Sequence, residues 1–227
     1  MIDARSLMRL HVEALFTRDA AGRLFSVNDR EGAPAPRFFL GRTDEGNLWW
    51  FRGDVGPDLA RDLDALCESQ PTGLEVDAAL FVARLAREAP VHRTWAGPVF
   101  RFPSDLREVE HTLRVTPDNA AVLSPYLEDW RDDVPVSVPM VVMLEGGKAV
   151  SLCASVRVTP QAHEAGVETH GDFRGRGYAA QTVAAWARAV RDLDRIPLYS
   201  TSWENDSSRA VANKLGLIQF GADLHVT

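Results

Sequence analysis

Cysteine, positive charge and long apolar runs are all in short supply in this sequence. Its two cysteines, Cys67 and Cys153, stand far apart, and neither has the CxxC or histidine spacing of a zinc site. Free, buried thiols in a reducing cytosol are expected, and no metal. No stretch approaches the ~20 apolar residues that span a bilayer. The N-terminal MIDARSLMRLHVEALF mixes charges among its apolar positions and lacks the uninterrupted core of a signal peptide. The chain therefore reads as cytoplasmic, without a membrane partner. Lysine and arginine total 25 against 32 aspartates and glutamates, a formal net charge of -7. Phosphate contacts need a basic surplus, so general nucleic-acid binding is excluded, whereas a cationic substrate is compatible with this balance. Against these absences, 45% hydrophobic content over 227 residues suffices for one sizeable domain or two small ones.

Residues 1–110 read as an α+β region that carries structure without recognisable chemistry. After a helix over residues 4–17, PRFFLGRTDEGNLWWFR gives two β-rich runs joined at Asp44-Glu45-Gly46, a hairpin signal with glycine available for positive φ. In DVGPDLARDLDALC, Pro57 suits a first helical turn, and Leu59, Leu63 and Leu66 share one face. VDAALFVARLARE repeats that pattern, and VHRTWAGPVFRF is a short extended piece. The aromatics here are expected to build core on the hairpin rather than to line a ligand pocket. His11, His92 and His111 have no spaced partners and are expected in the same role.

From residue 111 to 227 the texture is a regular alternation of strand and helix. LRVTPDNAAVLSPYLEDW reads as a strand, then a helix capped by Thr116 or Asp118. PMVVMLEGGKAVSLCASVRVTP gives two antiparallel strands around Glu145-Gly146-Gly147. AHEAGVETH is a further strand, and FRGRGYAA a loop. In QTVAAWARAVRDLD, Val183, Trp186, Val190 and Leu193 recur at helical spacing. IPLYSTSW, NDSSRAVANKLG and LIQFGADLHVT follow as strand, short helix closed by Gly216, and strand.

The loop FRGRGYAA sits where a strand hands over to a helix, so the unpaired N–H groups of the first turn point out of it. Gly175 and Gly177 remove the side chains that would hold a phosphate off the backbone, and Arg174 and Arg176 add charge to the helix dipole. Two familiar phosphate loops are missing: there is no GxxxxGK[ST], and the third glycine and acidic residue of a dinucleotide fingerprint are absent. Arg174-Gly175-Arg176-Gly177-Tyr178-Ala179 does fit [QR]-x-x-G-x-[GA], and it resembles the acyl-coenzyme A signature of the GNAT N-acetyltransferase superfamily. VETHGDFRGRGYA is similar to that family's fourth strand and pyrophosphate loop, and NDSSRAVANKLGL to its segment after the fifth strand. The order of elements from residue 112 onward also follows the family, so the resemblance covers about half of the chain.

The resemblance implies a GNAT-like mixed α/β fold with a largely antiparallel sheet, flanked by helices, whose fourth and fifth strands splay apart. It implies an acetyl-coenzyme A-dependent transfer of an acetyl group to the primary amine of a small molecule or peptide, with a homodimer as an option. The backbones of Val167, Glu168 and Thr169 would hold the pantetheine arm. The amides from Arg174 through Gly175, Arg176, Gly177 and Tyr178 to Ala179 would hold the pyrophosphate, and Asn205 and Ser208 would touch the coenzyme from the fifth-strand side. Counting back from the loop, the family's catalytic carboxylate falls at or beside Glu164, with His163 as the alternative base; a solvated strand-edge carboxylate is the competing reading of Glu164. Two positions depart from the pattern. Ala212 and Asn213 stand where many relatives carry a tyrosine acid, leaving Ser202, Tyr199 and Ser208 as substitutes by proximity. A seventh strand is either merged into LIQFGADLHVT or supplied by residues before 112. A non-catalytic acyl-coenzyme A sensor or interaction module is the alternative function.

Overall fold

The computed structural model describes residues 2–106 and 109–227. Along the chain run α1 (Ala4–Leu15), β1 (Phe16–Arg18), β2 (Leu24–Val27), β3 (Phe38–Thr43), β4 (Gly46–Phe51), α2 (Pro57–Ser69), α3 (Ala78–Leu85) and β5 (Thr94–Arg101). Then come β6 (Thr112–Val115), β7 (Met140–Glu145), β8 (Lys148–Val158), β9 (Ala162–Thr169), α4 (Tyr178–Arg191), β10 (Ile196–Ser200), α5 (Asp206–Lys214) and β11 (Ile218–Val226). These elements form two compact units. One comprises Met1–Phe100 with Ser200–Asn205 and Gln219–Thr227, the other Arg101–Tyr199 with Asp206–Ile218. The single cut expected near residue 110 is thus corrected. Residues 107 and 108, in the charged stretch taken as the junction, lie outside the described residues.

The first unit is stitched together by chain from both ends. Its strands lie in the order β4-β3-β11-β5, with β1 and β2 forming a separate two-stranded ribbon. β3 and β4 make the expected hairpin, Phe38 facing Phe51 and Thr43 facing Gly46. β11 pairs antiparallel with β3 from Ala222↔Arg42 to Val226↔Phe38, so LIQFGADLHVT is one strand whose partner comes from residues before 112. The amides of Thr201 and Trp203 donate to the carbonyls of Pro98 and Ala96 at 3.3 and 3.1 Å. The backbone approach is close enough that a Cβ at Gly97 would collide with the Thr201 carbonyl.

Pleating sends alternate residues of this sheet to opposite faces. Phe38, Leu40, Leu224 and Val226 pack on Leu59, Leu63 and Cys67 of α2 and on Phe81 and Leu85 of α3. Each such side chain contributes roughly 1.5–3 kcal/mol. The expected aromatic core is there, Phe38 stacking on Phe51 and Phe81; Trp49, Trp50 and Phe51 also line a 370 Å³ cavity. On the face carrying α1, Met8 fills the space left by Gly41 and Gly221, where any Cβ would strike it. His11 is buried on this face, but His92 and His111 are exposed, against expectation.

The second unit carries strands in the order β10-β9-β8-β7-β6. The pairs from β6 to β9 are antiparallel, and β10 joins β9 in parallel. α4 covers one face through Val183, Trp186, Ala187 and Val190, all buried. On the other, Leu123, Leu127 and Val134 pack against Met140, Val142, Leu152 and Ala154. The helix expected after Thr116 is instead two 3-10 turns, Pro117–Leu123 and Glu128–Asp133. Pro125 between them has no N–H to continue a helix and restricts Ser124 before it. Thr116 marks the start, its amide donating to Asn119 Oδ1 at 2.8 Å. The architecture is a mixed α/β fold with a mostly antiparallel sheet, as expected. Both cysteines are buried and free, and burial pushes the Cys67 thiol up to about 12. No described helix is long and apolar enough to cross a membrane.

Candidate functional site

The parallel pairing of β9 and β10 stops early. It runs Ile196↔Ala162, Pro197↔His163 and Leu198↔Glu164, and no further, although β9 continues to Thr169 and β10 to Ser200. Among the described residues, no strand pairs with that edge of β9 beyond Glu164. Which groups face the opening follows from alternation along the strand. The His170 amide donates to the Val150 carbonyl at 3.0 Å and Ser151 Oγ donates to the Glu168 carbonyl at 3.3 Å, so even-numbered positions bond toward β8. Val167 and Thr169 therefore turn their backbone groups toward the opening. Glu168 does not, which corrects its place among the expected backbone ligands; its carboxylate instead accepts from Trp130 Nε1 at 2.6 Å.

After β9, a short 3-10 turn over Gly171–Phe173 leads into the glycine loop. Gly175 and Gly177 adopt φ of 76° and 82°, the left-handed region that costs other residues about 1–2 kcal/mol. Flanking Arg176, they form a concave nest of amides at the start of α4. Among the described residues, the N–H groups of Gly175, Arg176, Gly177, Tyr178, Ala179 and Ala180 find no acceptor, the first helical bond being Gln181 N–H to the Gly177 carbonyl at 3.4 Å. Such a run of free donors at a helix N-terminus has the chemistry to receive an anion. Gly177 is the N-cap, so a side chain there would strain the backbone as well as fill the nest.

The arginines do not behave as the sequence suggests. Arg176 Nη1 contacts both carboxylate oxygens of Glu145 at 3.0 and 3.1 Å, its Nη2 reaches the Asp172 carbonyl at 3.2 Å, and its guanidinium lies 5.0 Å from the Phe173 ring centroid. Tyr178 O–H donates to the same Glu145 at 2.7 Å, and that bond raises the tyrosine's pKa. Arg174 Nε donates to the Thr169 carbonyl at 3.1 Å. These side chains brace the loop. The cation that overhangs it is Lys214, missed in the sequence: a Cβ on Gly177 would run into its ammonium.

His163 and Glu164 point to opposite faces. His163 is buried under α4, its Nδ1 2.9 Å from Ser155 Oγ, which also accepts from Trp186 Nε1 at 3.1 Å. Burial, then the charge of Arg195, lowers its pKa, so the ring is neutral near pH 7. This is a core histidine in a polar network, on the face opposite Glu164. Glu164 sits at the last paired position before the strands part, on the face that Glu168 shares, and is only 2% exposed. The solvated-edge reading of Glu164 is thereby overturned. Tyr199 is buried, its hydroxyl 2.6 Å from Ser208 Oγ. Burial pushes it up to about 12, against the lowering effect of Ser208, and so makes it a poor proton donor. Ser208 stays in this unit, whereas Asn205 and Ser202 belong to the other. Ala212, at the position that the resemblance gives to a tyrosine, is buried in α5.

A family model described as GNAT acetyltransferase matches residues 140–221, the stretch that holds β7 to β10, the loop and α5. A GNAT-family protein from Novosphingobium aromaticivorans superposes on 60% of this chain with a TM-score of 0.50 and 14% identity; the match spans 65% of that protein, less than two thirds. A GCN5-related N-acetyltransferase-like protein from Streptococcus suis matches over 85% of both chains, with a TM-score of 0.50 and 18% identity. Similarity at that level speaks to fold. No curated protein matches the sequence. The stretch similar to the GNAT acetyltransferase family is the one that carries the open strand pair and the amide-lined loop.

Proposed function

We propose that this protein is an N-acetyltransferase that takes acetyl groups from acetyl-coenzyme A and passes them to a primary amine. The observation that carries the reading is the run of unpartnered amides from Gly175 to Ala180, set beside the strand edge of Val167 and Thr169. The loop's donors suit a diphosphate, and the edge amides suit an amide-bearing arm laid along β9 as a strand would be. When bound, the coenzyme supplies an acyl thioester, whose thiolate leaving group of pKa near 8.5 needs little protonation. The amine must lose a proton near pH 7, and Glu164, at the parting of the strands, is the group assigned to accept it, directly or through a water. Backbone N–H groups at the same parting would stabilise charge developing on the thioester oxygen.

A thermal-shift titration separates the candidate ligands: coenzyme A should stabilise the protein, and NAD or ATP should not. Thiol release from acetyl-coenzyme A across an amine panel then identifies the acceptor. Stabilisation by ATP alone would sink the reading. Coenzyme binding with no turnover on any amine would favour a non-catalytic sensor, a reading supported by Ala212 and by the engaged hydroxyl of Tyr199.

A further inference from the structure

On the coenzyme reading, the diphosphate at the loop needs a cation to meet it. We propose that Lys214, and not either arginine of the loop, pairs with the diphosphate. α5 ends on Lys214, and its ammonium lies over the backbone of Gly177 in the space a Cβ would fill. The side chain is exposed, and it has no hydrogen bond or ion pair with any described residue. Arg176 is the opposite case. Its guanidinium is shared among Glu145, the Asp172 carbonyl and the Phe173 ring, and withdrawing it would leave Glu145 facing the anion with only Tyr178 as a donor. Arg174 is tied to the Thr169 carbonyl.

The geometry also gives the lysine a chemical reason. An ammonium on a flexible stem is a compact point charge that can settle above a phosphate held from below by the nest, where a planar guanidinium needs two aligned acceptors. Gly177 serves both requirements, since its left-handed φ of 82° turns the amides inward and its missing Cβ leaves room for the ammonium. A purely structural role is the competing account, because a cation in the last turn of a helix favours the dipole. That account moves stability and leaves affinity alone.

Calorimetric titration of coenzyme A, 3′-dephospho-coenzyme A and pantetheine into wild type, Lys214→Gln and Lys214→Arg decides the matter. Lys214→Gln should weaken coenzyme A and its dephospho form equally, about 10-fold, and flatten the salt dependence of both. It should leave pantetheine affinity and the ligand-free melting temperature unchanged. Lys214→Arg should restore most of the loss. Equal affinities in wild type and Lys214→Gln would overturn the assignment while leaving the coenzyme reading standing. So would a loss confined to coenzyme A, which would move the lysine to the 3′-phosphate. Wild type that binds none of the three ligands would remove the coenzyme reading and the lysine assignment together.

Discussion

In the first unit, a buried charge is answered from within; in the second, a row of donors is answered by nothing the chain supplies. Asp223 Oδ2 lies 2.8 Å from His11 Nε2 and 3.0 Å from His225 Nε2, with the carboxylate 1% exposed. Phe16, Phe39 and Trp95 pack around the His225 ring. Burial alone would raise the Asp223 pKa. The charge of His225 and the hydrogen bonds from both histidines outweigh it and hold the carboxyl far below the usual range. Its Oδ1 has no partner but is sealed from solvent, so no ligand meets it while the core is closed. The loop amides and the exposed Lys214 are unmatched among the described residues. Glycine use differs in the same way. Gly41 and Gly221 are there because Met8 occupies their side-chain space, whereas Gly175 is there for its backbone angle and Gly177 for its angle and for the room it leaves Lys214. Polar groups that hold a fold together tend to saturate one another; those left unpaired in an accessible, preset geometry are where a ligand is to be sought.

The largest effect is expected when the second half stands alone. A fragment of residues 108–227 keeps β11 but loses β3, exposing Ala222, Leu224 and Val226, all buried in the intact chain. It should be insoluble or unfolded, and a soluble monomer with a cooperative melt would show that the units do not depend on each other. Next, Asp223→Asn should lower stability by about 3 kcal/mol in urea titrations while leaving coenzyme affinity unchanged where the variant is folded. A carboxyl whose folded pKa is depressed adds stability above its unfolded value near 4, and this is lost as the pH falls through that value toward the folded one. The gap between wild type and variant should therefore narrow below about pH 4. Glu164→Gln should cut the rate on the best acceptor about 10²-fold near neutrality, recovering as the amine deprotonates at high pH. His163→Gln should instead cost about 1–2 kcal/mol of stability with the pH profile intact; a collapse in its rate would return the base to the histidine. Smallest of all, Arg176→Gln removes a half-exposed ion pair and should shift stability by less than about 1 kcal/mol. Coenzyme affinity should fall less than in Lys214→Gln, and a larger fall would reverse the roles given to the two cations.

Local chemistry was readable in the sequence wherever neighbours in the chain decide it. The hairpin before Gly46, the turn at Gly146-Gly147 with φ of 57° and 77°, and the C-terminal glycine of α5 follow from glycine and helical spacing alone. So does the start of α4 next to the loop. What depends on distant pairing was not readable. No pattern in LIQFGADLHVT says that it lies against residues 38–42, and none says that His11 meets a carboxylate at position 223. The arginines stand next to the loop glycines in the chain, yet Glu145, in a separate hairpin, engages one of them. Lys214 stood in plain view within NKLG, and only the fold brings it over Gly177.

Strand β11 sets an order of events during synthesis. β3 is made early, but the strand that shields its free edge, from Ala222 to Val226, leaves the ribosome only after the glycine loop and α5. At 5–20 residues per second, that interval is on the order of ten seconds or more. Through it Phe38 and Leu40 lack their final neighbours, and an unpaired strand edge is a template for misassembly. Within the nascent chain, the half made first is the one that waits for its last strand.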